Sequence, residues 1–568
     1  MLPEMRAAFV TLKPALDLSP SLIQYVSAPS AAVLVFGSQA GATDLADAVL
    51  REFVAGGVAQ VAQMTGSLSA VVIDRVQRRA WVTGTLLGHR SLFYYARDGR
   101  FMVSPHDLTL LATGRVPLMV DYASLSSMVA CDWSLEGRSL LASVARCHPL
   151  EALCWDNDAL TTQGVNSLNL NERLDVRDRT AINRQLDCVV EEVLASVRSH
   201  VQGASRVRCS LTAGMDSRAV LAAITGAAHN LPIHTSTSGG SSSEDVVVAK
   251  RLAALVGAHH ERQEPTPPAL EDFGGVLRLK AFFCSGDTSA KRAMTRLPGI
   301  DPSAELLAGG NGGEIYRGFF YQYFGATGTV PRDLEPIAAR LLSWRFRRLA
   351  QLPFADPAFN AEVNQRLLLA LGRAGRCSAD PYDILDLLYL FERYGRWGAS
   401  QASQPWSRTW TPFESAAAIR AAFRLPAPMG RHCSVHALLI QRFLPRRAYW
   451  IPINGGQLLA LDGRGGIHYA LRQALTVGAM VRQQVRRRLR KSARRSDDVK
   501  ASFLSGELSQ ITEHLMDEEG SLSRVLFGRD GVRTLLARHR QHQDQLAAIG
   551  ILLTAETWRQ LAHELTHP

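Results

Sequence analysis

The sequence predicts an α/β protein with more than one domain, and three observations indicate this class. Residues 1–165 carry short or alternating apolar runs between turn signals, a pattern typical of a β-rich domain. From Thr180 onward, apolar runs of strand length alternate with amphipathic helical segments, which is typical of a parallel sheet with crossover helices. The 568 residues are also too many for one hydrophobic core, so we expect two or three domains.

Residues 1–165 are predicted to form strands and hairpins with two helical segments between them. Asp98-Gly99 stands between two β-prone runs, and this dipeptide favours the tight turn of a β-hairpin. The apolar runs expected to form strands surround Val33, Val71, Trp81 and Phe93, and the helical segments are Thr43–Phe53 and Tyr122–Ala130.

A polar stretch at 161–178 marks the boundary with the second part of the chain. A helix is predicted to begin at Thr180, and beyond about 330 the pattern is largely helical. The expected elements between them are strand Val207–Leu211, a helix from Asp216, strand Ile233–Thr237, helix Ser243–Val256 and a strand near Glu261. We therefore predict domains at 1–165 and 178–460, followed by a basic helical extension at 461–568.

Composition excludes several classes of protein. An apolar fraction of 46% and a charged fraction of 20% are ordinary for a soluble globular protein. No uninterrupted apolar stretch reaches membrane-spanning length, and the first residues do not resemble a signal peptide, so we expect a cytoplasmic protein without a membrane partner. The eight cysteines form no C-x-x-C pair and the sixteen histidines form no H-E-x-x-H pattern, which argues against a transition-metal enzyme.

The net charge of +11 is concentrated in one segment, Arg482–Arg495, which holds eight basic residues and no acidic one. Such a segment attracts nucleic acid or an acidic peptide, or it is simply a solvated helix face. It lacks interleaved aromatic residues and any known RNA-binding module, so nucleic-acid binding is not predicted.

The loop after strand Val207–Leu211 carries the main functional signal. Thr212, Ala213 and Gly214 are small, so several backbone N–H groups can converge there on an anion, beside the positive end of the next helix. Hydroxyl groups nearby suit phosphate oxygens, and Asp216 would hold Mg²⁺. The alternative is a plain βα turn with an aspartate near a helix start.

The string Thr212–Ser217 resembles S-G-G-x-D-S, the pyrophosphate loop of the N-type ATP pyrophosphatases. Enzymes with this loop cleave ATP between the α and β phosphates and form an adenylated intermediate. The resemblance implies a parallel-sheet ATP-pyrophosphatase domain with a helical C-terminal part. The implied ATP-binding residues are Ser210, Leu211, Thr212, Ala213, Gly214, Met215, Asp216, Ser217, Arg218, Thr237 and Gly310.

The order of the domains resembles the asparagine synthetase-like family. Gly66–Leu68 with Val71–Asp74, Gly88–Tyr95 and Phe101–Ser104 resemble motifs of its class II glutamine amidotransferase domain. This implies an N-terminal-nucleophile (Ntn) hydrolase-like αββα sandwich. A working glutaminase needs Cys directly after Met, but this chain begins Met1-Leu2-Pro3, so glutamine hydrolysis is not expected.

The resemblance continues in Ser243–Asp245, Leu255–His259 and Leu306–Phe320. Gly313 stands where the family has a metal-binding Asp, and we expect either that Glu314 takes over this role or that it is a structural glutamate. The family's late lysine is absent, which leaves three arginines as candidates to replace it: Arg218, Arg317 and Arg431. The expected catalytic residues are Asp216, Glu314 and Arg317, with Asp216 and Glu314 also as metal ligands.

Among these relatives, a domain without the nucleophile is typical of β-lactam synthetases and lasso peptide macrolactam synthetases (macrocyclases). The resemblance therefore implies ATP- and Mg²⁺-dependent amide formation, most like lasso ring closure between a peptide's N-terminal amine and an Asp or Glu side chain. The implied partners are a precursor peptide and a leader peptidase or leader-binding protein. The alternatives are a small-molecule amide ligase of the β-lactam synthetase kind and a non-catalytic scaffold that has kept the fold.

Overall fold

The structure is a computed structural model. It describes residues 23–38, 44–64, 67–84, 86–87, 92–165, 168, 170, 172–264, 270–287, 307–324, 329–344, 346, 357–398, 409–427, 434–453, 507–541 and 545–566. Predicted features that lie wholly or partly outside the described residues are the start Met1–Pro3, Thr43, Gly66, Gly88–Ser91, the boundary stretch 161–178, Leu306, Arg431, the extension 461–568 and, within it, Arg482–Arg495.

The N-terminal part contains two antiparallel sheets. The larger has six strands in the order β1-β2-β3-β4-β8-β9, and the smaller has three in the order β6-β5-β7. The strands are β1 Ile23–Ser27, β2 Ala31–Ser38, β3 Ser67–Asp74, β4 Arg79–Gly84, β5 Phe93–Arg97, β6 Arg100–Ser104, β7 Ala145–Arg146, β8 Glu151–Asp156 and β9 Ala159–Gly164. The helices are α1 Leu45–Gln63, α2 Asp107–Leu111 and α3 Tyr122–Cys131.

Side chains alternate between the two faces of each strand, so each face of the larger sheet packs against a different layer. Val33, Val35 and Val72 face one side of the larger sheet, where they pack against Val49 of α1. Val82 and its neighbours face the other side, together with residues of the smaller sheet. The N-terminal part is therefore helix, sheet and sheet in succession, with α2 against the smaller sheet.

The predicted hairpin is confirmed, and one predicted helix is corrected. Asp98 and Gly99 both have positive φ, of 53° and 66°, as a two-residue turn between β5 and β6 requires. Helix α1 runs to Gln63 and not only to Phe53, with an interruption at Gly56 and Gly57 where the backbone leaves helical geometry. Hydrophobic spacing alone predicts only the part before this interruption.

The second part is built on a five-stranded parallel sheet in the order β12-β11-β10-β13-β14. The predicted alternation of strands and helices is confirmed here, with small shifts at the ends. The elements are α4 Arg179–Val201, β10 Val207–Ser210, α5 Met215–Ala227, β11 Ile233–Ser238, α6 Glu244–Leu255, β12 His259–Gln263, α7 Leu270–Phe283, β13 Leu307–Ala308 and β14 Thr409–Trp410.

Helices cover the sheet and form the rest of the described chain, as predicted. They are α8 Leu334–Trp344, α9 Pro357–Gly375, α10 Pro381–Leu388, a π-helical stretch Tyr389–Gly398, α11 Ala416–Phe423, α12 Ser434–Phe443, α13 Glu507–Asp517, α14 Leu522–Arg540 and α15 Leu546–Thr566. Short 3₁₀ helices lie at Gly313–Tyr316, Tyr321–Phe324, Pro412–Glu414 and Arg446–Trp450. None of the described helices is long and apolar enough to cross a membrane.

The last helix, α15, packs against α2 and α3 of the N-terminal part and against α7 of the second part. Its Trp558 is fully buried and donates from Nε1 to Oδ1 of Asp107 at 3.4 Å. Asp107 is itself buried and accepts a hydrogen bond from Ser139 at 2.6 Å. The C-terminal helix therefore joins the two parts through a buried carboxylate.

We expect Trp558→Ala to lower the free energy of unfolding by about 3–5 kcal/mol, because it leaves a large cavity and removes a donor from Asp107. Urea unfolding followed by fluorescence and circular dichroism measures this. Leu565→Ala, on the exposed side of the same helix, is the control and should change stability by roughly 0.5 kcal/mol or less. Equal losses in both variants would contradict the assigned packing of α15.

Candidate functional site

The site lies at the carboxyl ends of β10 and β13. These strands are neighbours in the sheet, yet β10 continues through α5 to β11 on its other side. This is the topological switch point of an open parallel sheet, where such folds form a crevice for ligands. The loop after β10 holds Thr212–Gly214, and the loop after β13 holds the residues from Gly309 to Gly312.

The two loops touch, and glycine makes the approach possible. A Cβ atom on Gly310 would come within 2.9 Å of the backbone nitrogen of Ser217. Gly312 has φ of 82°, in the left-handed region, directly before the 3₁₀ helix Gly313–Tyr316. The predicted residue Gly310 is thus placed against the first turn of α5, beside the predicted phosphate loop.

The N–H groups of the loop point at side-chain oxygens of the protein itself. Ala213 donates to Oδ1 of Asp245 at 2.9 Å. Gly214 donates to Oγ1 of Thr212 at 3.1 Å, and Thr212 donates to Oγ of Ser217 at 3.1 Å. The loop therefore does bind an anionic oxygen, and in this structure that oxygen belongs to the first turn of α6.

Asp216 lies in the first turn of α5, and side chains of this chain engage both of its oxygens. Arg317 donates from Nε to Oδ1 at 3.0 Å and from Nη2 to Oδ2 at 3.1 Å. Nε2 of His436 lies 2.9 Å from Oδ1. Burial alone would raise the pKa of Asp216, but the hydrogen bond from His436 and the charge of Arg317 outweigh burial and lower it. Asp216 is therefore held as a carboxylate.

His436 is fully buried, with its ring stacked on Phe413 at a centroid distance of 5.2 Å. Its Nδ1 is buried and has no hydrogen-bond partner among the described residues. Because the carboxylate of Asp216 can only accept, Nε2 is the donor in its hydrogen bond to Oδ1. Phe413 is held in turn by the hydroxyl of Tyr316, which donates to its carbonyl oxygen at 3.0 Å.

Glu314 lies beside the same group of charges. Its Oε1 is 3.9 Å from Nη2 of Arg317. Burial and the nearby charge of Asp216 raise the pKa of Glu314. The protein thus surrounds one guanidinium with one firmly ionised carboxylate and one that resists ionisation.

These residues do not fit a Mg²⁺ ion held by Asp216 and Glu314, the predicted metal ligands. Both oxygens of Asp216 are hydrogen-bonded to a guanidinium and an imidazole. Gly313 offers no ligand, and a Cβ there would stand 2.6 Å from Oδ1 of Asp216. Within the described ranges, no group of three His, Cys, Asp or Glu side chains is arranged to hold a metal.

Arg218 is placed away from the loop, which differs from its predicted contact with ATP. Its side chain is fully buried and donates to the carbonyl oxygens of Ile451 at 2.7 Å and Pro452 at 3.0 Å. Burial lowers the pKa of Arg218 to about 10. The guanidinium joins α5 to the segment after the 3₁₀ helix Arg446–Trp450, a structural role that side-chain chemistry alone could not reveal.

The other predicted ATP residues are close together. Ser210 ends β10, Thr237 donates from Oγ1 to the carbonyl of Leu211, and Met215 begins α5. The side chains of Leu211, Ala213 and Ser217 are buried, so Leu211 and Ala213 can offer a ligand only backbone atoms. Asp245 and His436 are site residues that the sequence does not predict. Asp245 lies in the family-like motif Ser243–Asp245, whereas nothing local marks His436.

Arg218→Lys should lower the free energy of unfolding by about 2 kcal/mol or more, because an ammonium cannot reproduce the forked donation to several carbonyls. Thermal unfolding measures the loss, and Arg446→Lys, exposed on the adjoining 3₁₀ helix, serves as the control. Normal stability combined with lost nucleotide binding would instead place this guanidinium at the phosphates.

Glu314→Gln should make the protein more stable at pH 8, and this advantage should shrink as the pH falls toward 4. A carboxyl group whose folded pKa is raised favours folding at low pH, and this contribution is lost as the pH rises from the unfolded value through the folded one. Melting temperatures across this pH range measure it, with Glu519→Gln in an exposed turn as the control. A pH-independent difference would contradict the assigned environment.

No family model matches the sequence, and no curated protein matches it. The likeness to asparagine synthetase-like proteins therefore rests on the residues quoted above, and the function drawn from it is a proposal.

Proposed function

We propose that the protein forms an amide bond by adenylating a carboxylate with ATP. An oxygen of the substrate carboxylate attacks the α-phosphorus, the bond from that phosphorus to the bridging oxygen breaks, and pyrophosphate leaves. An amine then attacks the acyl carbon, AMP leaves with the electron pair of the acyl–oxygen bond, and the amine loses a proton. Two small leaving groups, pyrophosphate and AMP, thus replace the water of direct condensation.

The observation that carries this proposal is the position of the loop. A turn of small residues, already binding a carboxylate oxygen at Ala213, lies at the switch point of a parallel sheet and at the start of α5. Backbone N–H groups and a helix N-terminus at such a point suit a phosphate oxygen. The carboxylate of Asp245 stands where that oxygen would bind, so a nucleotide would have to displace it.

Arg317 supports the same chemistry. Its guanidinium lies beside the loop, held in a fixed orientation by two hydrogen bonds to Asp216. A positioned guanidinium stabilises the negative charge that develops on phosphate oxygens as pyrophosphate leaves. Because its orientation is already fixed, little reorganisation is needed when that charge appears.

The substrate class follows from the resemblance to lasso peptide macrolactam synthetases. In that family the attacking amine belongs to the substrate itself, and we expect the same here. Lasso ring closure between a peptide's N-terminal amine and its own Asp or Glu side chain meets this requirement. The protein would then mainly hold amine and adenylate together and exclude water.

A non-catalytic scaffold is the second candidate, and a specific observation favours it. Asp245 occupies the loop N–H of Ala213, while Arg317 and His436 engage both oxygens of Asp216. A site in which the carboxylate of Asp216 and the N–H of Ala213 are already hydrogen-bonded within the protein needs no ligand to satisfy them. The two candidates therefore differ in whether nucleotide displaces Asp245.

The test begins with binding of α,β-methylene-ATP, which cannot release pyrophosphate. We expect wild type to bind it and Asp245→Asn to bind it about tenfold or more tightly, because a neutral amide competes less with phosphate. Glu244→Gln, exposed in the same turn of α6, is the control and should not change the affinity. Absence of binding to both wild type and Asp245→Asn would reject adenylation and leave the scaffold.

Catalysis is then measured with ATP and candidate peptides that carry a free N-terminal amine and an internal Asp or Glu. The expected products are AMP, pyrophosphate and a peptide lighter by one water. Asp216→Ala should remove turnover, because it releases Arg317 from its orientation. Retained AMP formation in a folded Asp216→Ala protein would show that this carboxylate does not organise the site.

A further inference from the structure

The ion pair of Asp216 and Arg317 occupies the place where the family resemblance puts a metal. Gly313, where the family has its second metal-binding Asp, lies directly over Asp216, and any side chain there would collide with Oδ1. Arg317 follows about one helical turn later and donates hydrogen bonds to both oxygens of the same carboxylate. A carboxylate is thus missing at one position, and a cation is supplied from the next turn.

The charges of the site agree with a single resident cation. Both oxygens of Asp216 accept hydrogen bonds from Arg317, so this guanidinium already engages the carboxylate that a metal would use. Glu314 lies beside the same guanidinium, with its Oε1 3.9 Å from Nη2. One guanidinium thus stands between the two carboxylates that a divalent ion would need.

His436 fixes this arrangement. It is fully buried, and donation from Nε2 adds a second hydrogen bond to Oδ1 of Asp216. Its ring is packed against Phe413, so it cannot easily withdraw. A metal approaching Asp216 would have to displace both a bidentate guanidinium and a buried imidazole.

We propose that Arg317 replaces the protein-bound divalent cation of this site, so that phosphate oxygens are met by a built-in guanidinium and not by a metal held on Asp216. The identity of the phosphate ligand rests on the proposed function, but the exchange of metal for arginine does not. The exchange can therefore be measured without nucleotide.

The first experiment titrates the whole protein with Mn²⁺, followed by electron paramagnetic resonance of the free ion. Wild type should show no Mn²⁺ bound through Asp216, so Asp216→Asn should leave its titration unchanged. Arg317→Ala exposes the carboxylate and should bind one Mn²⁺ about tenfold or more tightly than wild type. The gain should disappear in the double variant Arg317→Ala/Asp216→Asn, because the ligand is then removed.

Two controls separate this effect from general loss of positive charge or of fold. Arg332→Ala removes an exposed arginine from a neighbouring segment and should not create a Mn²⁺ site. Arg317→Lys keeps the charge at the site and should likewise gain no Mn²⁺, so it remains informative if Arg317→Ala is poorly folded. Adding methylguanidinium to Arg317→Ala should displace its Mn²⁺, since that cation restores the missing group.

Binding of α,β-methylene-ATP with and without EDTA tests whether nucleotide binding depends on a divalent ion. We expect wild type to lose less than about tenfold in affinity when divalent ions are removed, and Arg317→Ala to lose more. Wild-type Mn²⁺ binding that vanishes in Asp216→Asn, a folded Arg317→Ala protein that gains no Mn²⁺, or a gain of Mn²⁺ in Arg317→Lys would overturn the replacement. If no analogue binds while the Mn²⁺ results hold, the proposed function fails and the arginine replacement stands.

Discussion

The negative charge of Asp216, whose side chain is only 19% exposed, is the constraint on which the rest of the site depends. A carboxylate shielded from water is costly unless it is paired and hydrogen-bonded. Arg317 and His436 supply both forms of compensation, and they come from two separate segments of the chain. Satisfying one charge therefore fixes the start of α5, the 3₁₀ helix Gly313–Tyr316 and helix α12 relative to one another, and this defines the crevice at the switch point.

Buried polar groups also fix the N-terminal part against the rest of the chain. Ser134 and Arg146 approach Asp287 after α7, with Ser134 Oγ donating at 3.0 Å. Asp107 accepts from Trp558 of the last helix. Such groups must stay paired when they are buried, so they hold one relative orientation more strictly than apolar contact would. The N-terminal part is thus built into the structure, whether or not it has chemistry of its own.

The sequence predicted features that local patterns control. The Asp98-Gly99 hairpin and the strands and helices from Thr180 to β12 follow from turn chemistry and hydrophobic spacing over short windows. It predicted Arg317 in the same site as Asp216, but it could not predict that Arg317 and His436 hydrogen-bond to this carboxylate, because they are 101 and 220 residues away in the chain. Arg218 shows the same limit. Its position two residues after Asp216 suggested a phosphate ligand, but its side chain instead donates to the carbonyl oxygens of Ile451 and Pro452, away from the loop.

The loop and the ion pair together determine which ligand the site can take with least rearrangement. Asp245 places one negative oxygen on the N–H of Ala213, and Arg317 places one cation on Asp216. A phosphate oxygen that displaces Asp245 exchanges one anion for another, so the local charge is conserved and the guanidinium keeps its partner. A divalent ion would add positive charge beside a guanidinium and would break two hydrogen-bonded contacts of Asp216. The arrangement therefore favours replacement of the Asp245 carboxylate by a phosphate oxygen and opposes replacement of Arg317 by a divalent ion.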